Sequence, residues 1–385
     1  MSLKIAYLSQ GRLYVKEGDL ATQEIVCQFG QDMVDRAARR FRDTEWKRQN
    51  QGAMFNAFWT SDQDPSQIRV NITAVTAGDT DKELLFALGA NDIGGLFVHN
   101  LEDQAERRLV HKQDFRIRDL TRHPEIEELV ACSHYLEDGT ASIGLVRKYN
   151  VMHVTEGDSI DEAPSWVPGN HRRLLFQSAG IGRGSGGYVV GWGPFVIQKL
   201  DLDRGAMETL KENPQFDFLL PRMDKYGNLY FIRRPYVGMQ RRNNWSQRLN
   251  DIILFPFRVL RMIFDFLNFQ SMMYSRKPLS TSGGPQLEGE DIKTVFLRGR
   301  RIDVEKALQQ AKRNDEAPAL VPKSWELVKR TETGAETVLA KHVAAYDVNA
   351  EGELIYSNGT AIYQLTENKP QLLVKGQLID GVFVL

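Results

Sequence analysis

Cysteine is scarce: only Cys27 and Cys132 carry a thiol among 385 residues, so no disulfide framework holds this chain. Both lie in apolar, strand-like surroundings and are expected as buried thiols. Charge imbalance is absent too. A net charge of -1 argues against a dedicated nucleic-acid binder, and no nucleic-acid partner is expected. The start, Met1-Ser-Leu-Lys-Ile-Ala-Tyr7, lacks the basic stretch, long apolar run and small-residue cleavage site of a secretory leader. The cytoplasm is therefore the expected compartment, or the periplasm if a leader has been removed.

Catalytic signatures are also missing. No G-x-S-x-G elbow, H-E-x-x-H, C-x-x-C or P-loop occurs. Gly180-Ile-Gly182-Arg183-Gly184-Ser-Gly186-Gly187 is dense in glycine, but the Tyr188-Val-Val that follows is a strand former. A dinucleotide turn needs a helix there, so the stretch reads as a flexible loop between strands, of the kind that lines a face. Asp201 and Asp203 are too few for a calcium loop. His99, His111, His123, His134 and His153 would meet only if the fold gathered them around a central channel. They are expected to be ordinary, partly buried histidines. No catalytic residue, metal or cofactor follows from the sequence, which leans against an enzyme.

What the chain does have is a repeated strand pattern, clearest from Asp161 to Leu210. A strand through Trp166 meets a polar turn at Pro168-Gly-Asn170, and a second strand runs through Leu174-Leu-Phe176. After the glycine-rich stretch, a third strand at Ile197 to Leu200 turns at Asp203-Arg-Gly205 into a fourth. Gly and Asn permit the positive φ of tight turns, and the apolar spacing suits a pleated surface. Four antiparallel strands in a unit that recurs make a propeller blade.

This stretch resembles the repeat of TolB-like (WD40-like) six-bladed β-propellers. That repeat reads D-x-x-P-x-W-S-P-D-G-x-x-I-x-F-x-S, followed by I-Y-x-L-D-L-D-x-G-x-x-x-x-L. Asp161, Pro164, Trp166, Pro168, Phe176, Ser178, Asp201, Asp203, Gly205 and Leu210 match it, whereas Val167, Gly169 and Asn170 depart from its S-P-D-G turn. Some related propellers carry a hydrolase domain, as in prolyl oligopeptidases; with no nucleophile elbow in this sequence, no such domain is expected here.

Other segments echo the unit. Ile5-Ala-Tyr7 to Tyr14-Val15 parallels Leu354-Ile-Tyr356 to Ile362-Tyr363, with Gly11 and Gly359 in the turns. Asp224-Lys-Tyr-Gly227 parallels Asn349-Ala-Glu-Gly352. The last residues, Gly381-Val-Phe-Val-Leu385, form a strand with no hairpin partner after it, so they are expected beside Ile5 to Leu8, closing a circle and removing exposed edges. Trp166, Trp192 and Trp325 read as packing residues. Gln31 to Lys47 breaks the pattern as a short, basic amphipathic helix.

The fold expected is all-β: a six-bladed β-propeller of four-stranded antiparallel blades with a helical insertion in the fifth blade. Residues 1–234 supply blades one to five (first part) with the helix near 31–47. Residues 235–323 form the insertion, and 324–385 supply the rest of the fifth blade, the sixth and the closing strand. Within the insertion, Arg258, Arg261, Asp265 and Asn268 make a narrow polar stripe through an otherwise apolar helix near 248–274. Ser280 to Glu290 reads as a linker, Thr294-Val-Phe-Leu297 as a strand, and Asp303 as the N-cap of a helix reaching Ala311.

That apolar helix admits three readings: a cover on the ring, a surface for a partner or a second copy, or a peripheral membrane anchor with basic flanks. The function expected is a non-catalytic scaffold or protein–protein interaction module. Phe255, Phe257, Leu260, Ile263, Phe264, Phe266, Leu267 and Arg183 are the candidate partner-binding residues. The alternatives are a hydrolase or lyase acting at the axis, and a membrane-associated propeller.

Overall fold

The structure, a computed structural model, describes residues 3–50, 70–90, 93–127, 129–147, 150–169, 171–184, 187, 189–237, 294–297, 300–303, 317–367 and 369–385. The chain opens with β1 (Lys4–Ser9), β2 (Arg12–Glu17) and β3 (Gln23–Ile25), then α1 (Gln28–Asn50). Next come β4 (Val70–Ala77), β5 (Glu83–Ala90), β6 (Ile93–Asn100) and β7 (Glu106–Gln113). They are followed by β8 (Arg116–Arg122), β9 (Val130–Tyr135), β10 (Ala141–Arg147) and β11 (Asn150–His153). The middle supplies β12 (Ser159–Trp166), β13 (Arg173–Arg183), β14 (Val189–Trp192), β15 (Val196–Asp201) and β16 (Ala206–Lys211). Then follow β17 (Phe216–Met223), β18 (Leu229–Pro235), and a separate pair, β19 (Thr294–Leu297) and β20 (Arg300–Asp303). The last strands are β21 (Glu326–Arg330), β22 (Glu336–Lys341), β23 (Ala345–Val348), β24 (Leu354–Ser357), β25 (Ala361–Thr366), β26 (Lys369–Lys375) and β27 (Ile379–Val384).

The strands assemble into antiparallel meanders. Four-stranded sheets run β27-β1-β2-β3, β4-β5-β6-β7, β17-β18-β21-β22 and β23-β24-β25-β26. A nine-stranded sheet contains two further meanders, β8 to β11 and β12-β13-β15-β16, joined only through one parallel pair, Ala141 with Ile160. The chain's end lies beside its beginning: Val384 faces Ile5, Phe383 faces Ala6 and Val382 faces Tyr7. β18 pairs with β21 from Leu229↔Arg330 to Arg233↔Glu326, so the long connection between them interrupts a single sheet.

Strand periodicity explains how the meanders stack. Side chains alternate between faces, and β5 is buried on both. Its Leu84, Phe86 and Leu88 join a cluster with Leu8, Leu13 and Ile25, whereas Leu85 and Ala87 join Phe115, Ile117 and Cys132 on the other side. Further clusters fill the following gaps, around Ile143, Trp166 and Phe176, around Phe218, Phe231 and Val328, around Trp325, Leu327 and Tyr346, and around Tyr7, Ile355 and Val382. Each fully buried Phe or Leu contributes roughly 2–3 kcal/mol. The first strands of successive meanders touch in turn: β4 meets β8, β8 meets β12, β12 meets β17, β17 meets β23, β23 meets β27, and β27 returns to β4. That circle is the architecture of a β-propeller, an all-β ring of radially stacked sheets.

The helix α1 starts earlier than the sequence pattern indicates, at Gln28 rather than Gln31. The reason is tertiary. Glu106, at the start of β7, accepts the backbone N–H groups of Gln28 and Phe29, supplying a cap that no neighbouring residue provides.

Candidate functional site

Antiparallel meanders in a ring sort their connections onto two faces. The turns β4–β5, β8–β9, β12–β13, β17–β18 and β23–β24 share one face, and contacts between neighbours bear this out. His123 lies 3.2 Å from the carbonyl of His171, and Lys225 N–H donates to the carbonyl of Ala350. The opposite face takes α1, the β9–β10 and β11–β12 connections, the β13–β14 hairpin and the long connection after β18. Here Arg183 joins Asp138 and Asp158, and the Tyr236 hydroxyl donates to the carbonyl of Trp192 at 2.6 Å. The two are called below the turn face and the insertion face.

At the axis the first strands are bulged, between Ile72 and Ala74, Ile117 and Asp119, Glu162 and Ser165, and Leu219 and Arg222. Bulges re-aim side chains, and Ala163 and Leu220 take φ values of 53° and 54°, strained for residues with a Cβ. The freed polar groups knit neighbouring sheets together. Thr73 Oγ1 donates to the carbonyl of Ile117, and Ala163 N–H to Asp119 Oδ2. Arg118 reaches Glu162 Oε1 at 3.1 Å and Tyr135 Oη at 3.0 Å. Gln177 donates to Glu162 Oε2 and accepts from Leu220 N–H, both at 2.8 Å. Arg222 and Asp347 pair at 3.0 Å, and Asp347 also accepts from Val384 N–H in the closing strand.

Burial nevertheless pushes the Asp347 carboxyl up, even with Arg222 against it, and burial does the same to Asp161, which is held by the Ser178 hydroxyl at 2.7 Å. Arg234 and Asp217 form a buried pair at 2.8 Å, with the guanidinium 4.7 Å from the Trp325 ring. Removing one partner of such a pair strands the other charge in an apolar setting.

Of the residues the sequence nominates as contacts, Phe255, Phe257, Leu260, Ile263, Phe264, Phe266 and Leu267 lie outside the described residues, as do the helix near 248–274 and the one expected after Asp303. Arg183 is described. It ends β13, with Nε 2.7 Å from Asp158 Oδ1 and Nη1 3.0 Å from the carbonyl of Gly187. The Thr140 hydroxyl, with its N–H and Arg183 behind it, holds Asp138 below the usual carboxylate range. Arg183 thus fastens three connections together at the foot of the hairpin.

The glycine-rich stretch is not a loop throughout. Gly180 and Gly182 lie within β13, which continues past its partner β12 to pair with β14. Glycine's missing Cβ lowers strand propensity, but a ladder partner outweighs it. Of that partner, Val189-Val190 was legible as a strand former, whereas the outward hairpin was not. Val189 and Val190 are exposed, by 36% and 50%, as is Val237 close by in the chain that leaves β18.

The histidines do not converge on the axis. His134 Nδ1 lies 2.9 Å from His153 Nε2, between β9 and the outer strand β11. The carbonyl of Asp114, 3.4 Å from His134 Nε2, can only accept, so Nδ1 accepts from His153. Burial drives His134 down to about 4. His111 packs against Phe29 of α1, and His123 stacks on Trp166 at the turn face. They are spread because His111, His134 and His153 sit on different strands and His123 lies in the turn after β8. Among the described residues, no group of three or more His, Cys, Asp or Glu is placed to hold a metal, and no helix is long and apolar enough to cross a membrane.

No family model matches the chain, and no curated protein does. Solved structures resemble it in fold. TolB from Acinetobacter baumannii gives a TM-score of 0.48 at 9% identity, over 99% of this chain and 66% of that one. A nidogen/laminin complex gives 0.49 at 7% identity, over 99% and 97%. The tricorn protease gives 0.46 at 10% identity, over 96% of this chain and 33% of that one. The chain thus spans just under two thirds of the TolB chain and a third of the protease. The propeller fold itself rests on the strand pairing and the closed circle of first strands.

Proposed function

We propose that this chain is a six-bladed TolB-like propeller, with an insertion at 235–323, that works as a protein–protein interaction module and binds its partner on the insertion face. The blade count rests on the meanders ending in β3, β7, β11, β16, β22 and β26, each followed by an apolar cluster shared with the next. One observation supports the function above the rest. The β13–β14 hairpin projects beyond its sheet and carries exposed valines, on a base fixed by Arg183. Exposed apolar residues on a fixed support suit a contact surface. The test is affinity capture from the source cells with wild type, the Val189→Ser/Val190→Ser double variant, and Leu372→Ser on outer strand β26 as a rim control. A partner held by wild type and Leu372→Ser should be lost by the double variant; an unchanged set of partners overturns the reading.

A hydrolase or lyase acting at the axis is the second reading, favoured by Arg118, Glu162 and Gln177 meeting beside the strained Ala163. Turnover of a substrate that Glu162→Gln abolishes, with the fold retained, would carry it.

A further inference from the structure

We propose that the far edge of β14 takes up an extended peptide whose apolar residues alternate with lysine or arginine. This deepens the reading of the insertion face as a binding surface and rests on it. Among the described residues β14 pairs with β13 alone. A strand edge outside any ladder is a template for another strand. Four of the outer strands, β7, β16, β22 and β26, blunt that tendency with Arg107 and Arg108, Glu208 and Lys211, Glu336 and Lys341, and Lys369 beside Pro370, whereas β11, Asn-Val-Met-His, does not. β14 reads Val-Val-Gly-Trp and carries no such device.

Its geometry points the same way. Gly193 N–H turns inward to the carbonyl of Gly180, whereas the Trp192 carbonyl turns outward, where the Tyr236 hydroxyl takes one of its two lone pairs and leaves the other for an incoming N–H. The register shifts by one residue between Gly182 and Arg183, leaving Val190 without a partner on β13.

Charge decides the occupant. Glu137, Asp138, Glu156 and Asp158 are exposed on the two connections beside the hairpin, and Arg183 is the cation placed among them. A second copy paired edge to edge would set one acidic rim against another. Lysines or arginines on an incoming strand would meet it favourably, while the apolar side chains between them cover Val189 and Val190.

The test uses the full chain and a labelled peptide alternating valine with lysine, read by fluorescence anisotropy. The peptide should bind, and methylating alternate backbone nitrogens should weaken it by about tenfold or more, since those N–H groups supply the ladder. Exchanging lysine for glutamate in the peptide should abolish binding, and Glu156→Lys in the protein should weaken it. These changes leave the protein's core untouched, so a loss is not unfolding. Equal binding of the methylated peptide overturns strand addition. So does a wild-type dimer in sedimentation that Val190→Arg makes monomeric, which would assign the edge to a second copy. If Val189→Ser/Val190→Ser still loses its captured partner while methylation has no effect, strand addition falls and the binding face stands.

Discussion

On the turn face, the β17–β18 connection is closed by its own residues: Asp224 accepts from Tyr226 N–H, from both Asn228 N–H and Nδ2, and from the Tyr230 hydroxyl. Gly227 follows at φ 76°, and Gly352 plays the same part at φ 90° in the β23–β24 turn, where Asn349 accepts from Glu353. On the insertion face, the β9–β10 turn is closed by Asp138 accepting from Thr140 N–H and hydroxyl, and is tied besides to Arg183, a residue from another sheet, while α1 takes its cap from Glu106. Both faces combine such local bonds, which any short segment can encode, with contacts between sheets, as His123 with His171 and Lys225 with Ala350 on the turn face. What distinguishes the insertion face is that it carries α1 and the β13–β14 hairpin, whose fixing bonds come from distant residues. The turn face carries short turns, and the proposed contact surface lies on the insertion face.

The largest expected effect breaks the turn face. Asp224→Ala strands four donors that converge on a buried carboxylate and should cost about 3–4 kcal/mol, read as a lower urea midpoint with an unchanged slope. A cost below about 1 kcal/mol would mean that water replaces those bonds, and the contrast between faces would lose its energetic basis.

A smaller effect, set by pH, probes the packing beneath the insertion face. Burial lowers His134 from 6.5 to about 4, so the unfolded chain takes up its proton first on acidification. Stability should therefore fall as pH drops from 6.5 to about 4, by roughly 2.5–3 kcal/mol, and His134→Gln should flatten that fall in thermal melts. Asp161 has the opposite sign. Its raised carboxyl contributes stability that is fully present below 3.8 and is lost as pH rises through its folded value, and Asp161→Asn should remove that part. Parallel pH curves for wild type and His134→Gln would rule out the buried imidazole as the source.

The smallest effect sharpens the comparison. Val189→Ser/Val190→Ser should change stability by no more than about 0.5 kcal/mol while removing the partner, because exposed side chains on the hairpin support nothing beneath them. A large loss of stability would move the hairpin from the binding side of the comparison to the structural side.

Much of the ring was legible in the residues. The stretch from Asp161 to Leu210 announced a four-stranded antiparallel unit, and Gly381 to Leu385 a strand in need of a distant partner, found at Ile5 to Leu8. The candidate site was legible only in part. Arg183 could be nominated from its glycine-rich setting, but its aspartate partners could not, because Asp138 and Asp158 lie 45 and 25 positions away. The axial network gave no signal at all. Arg118, Glu162 and Gln177 look like ordinary strand residues until bulges in successive sheets turn them toward one another.

The sequence by itself determined the strands, the tight turns and the need for closure, since alternation and turn chemistry act over a few residues. Only the tertiary structure decided which polar groups meet at the axis, where α1 begins, and that the glycine-rich stretch continues past β12 as part of a hairpin. Those outcomes depend on which sheet comes to lie beside which, and that is a property of the closed ring and not of any one segment.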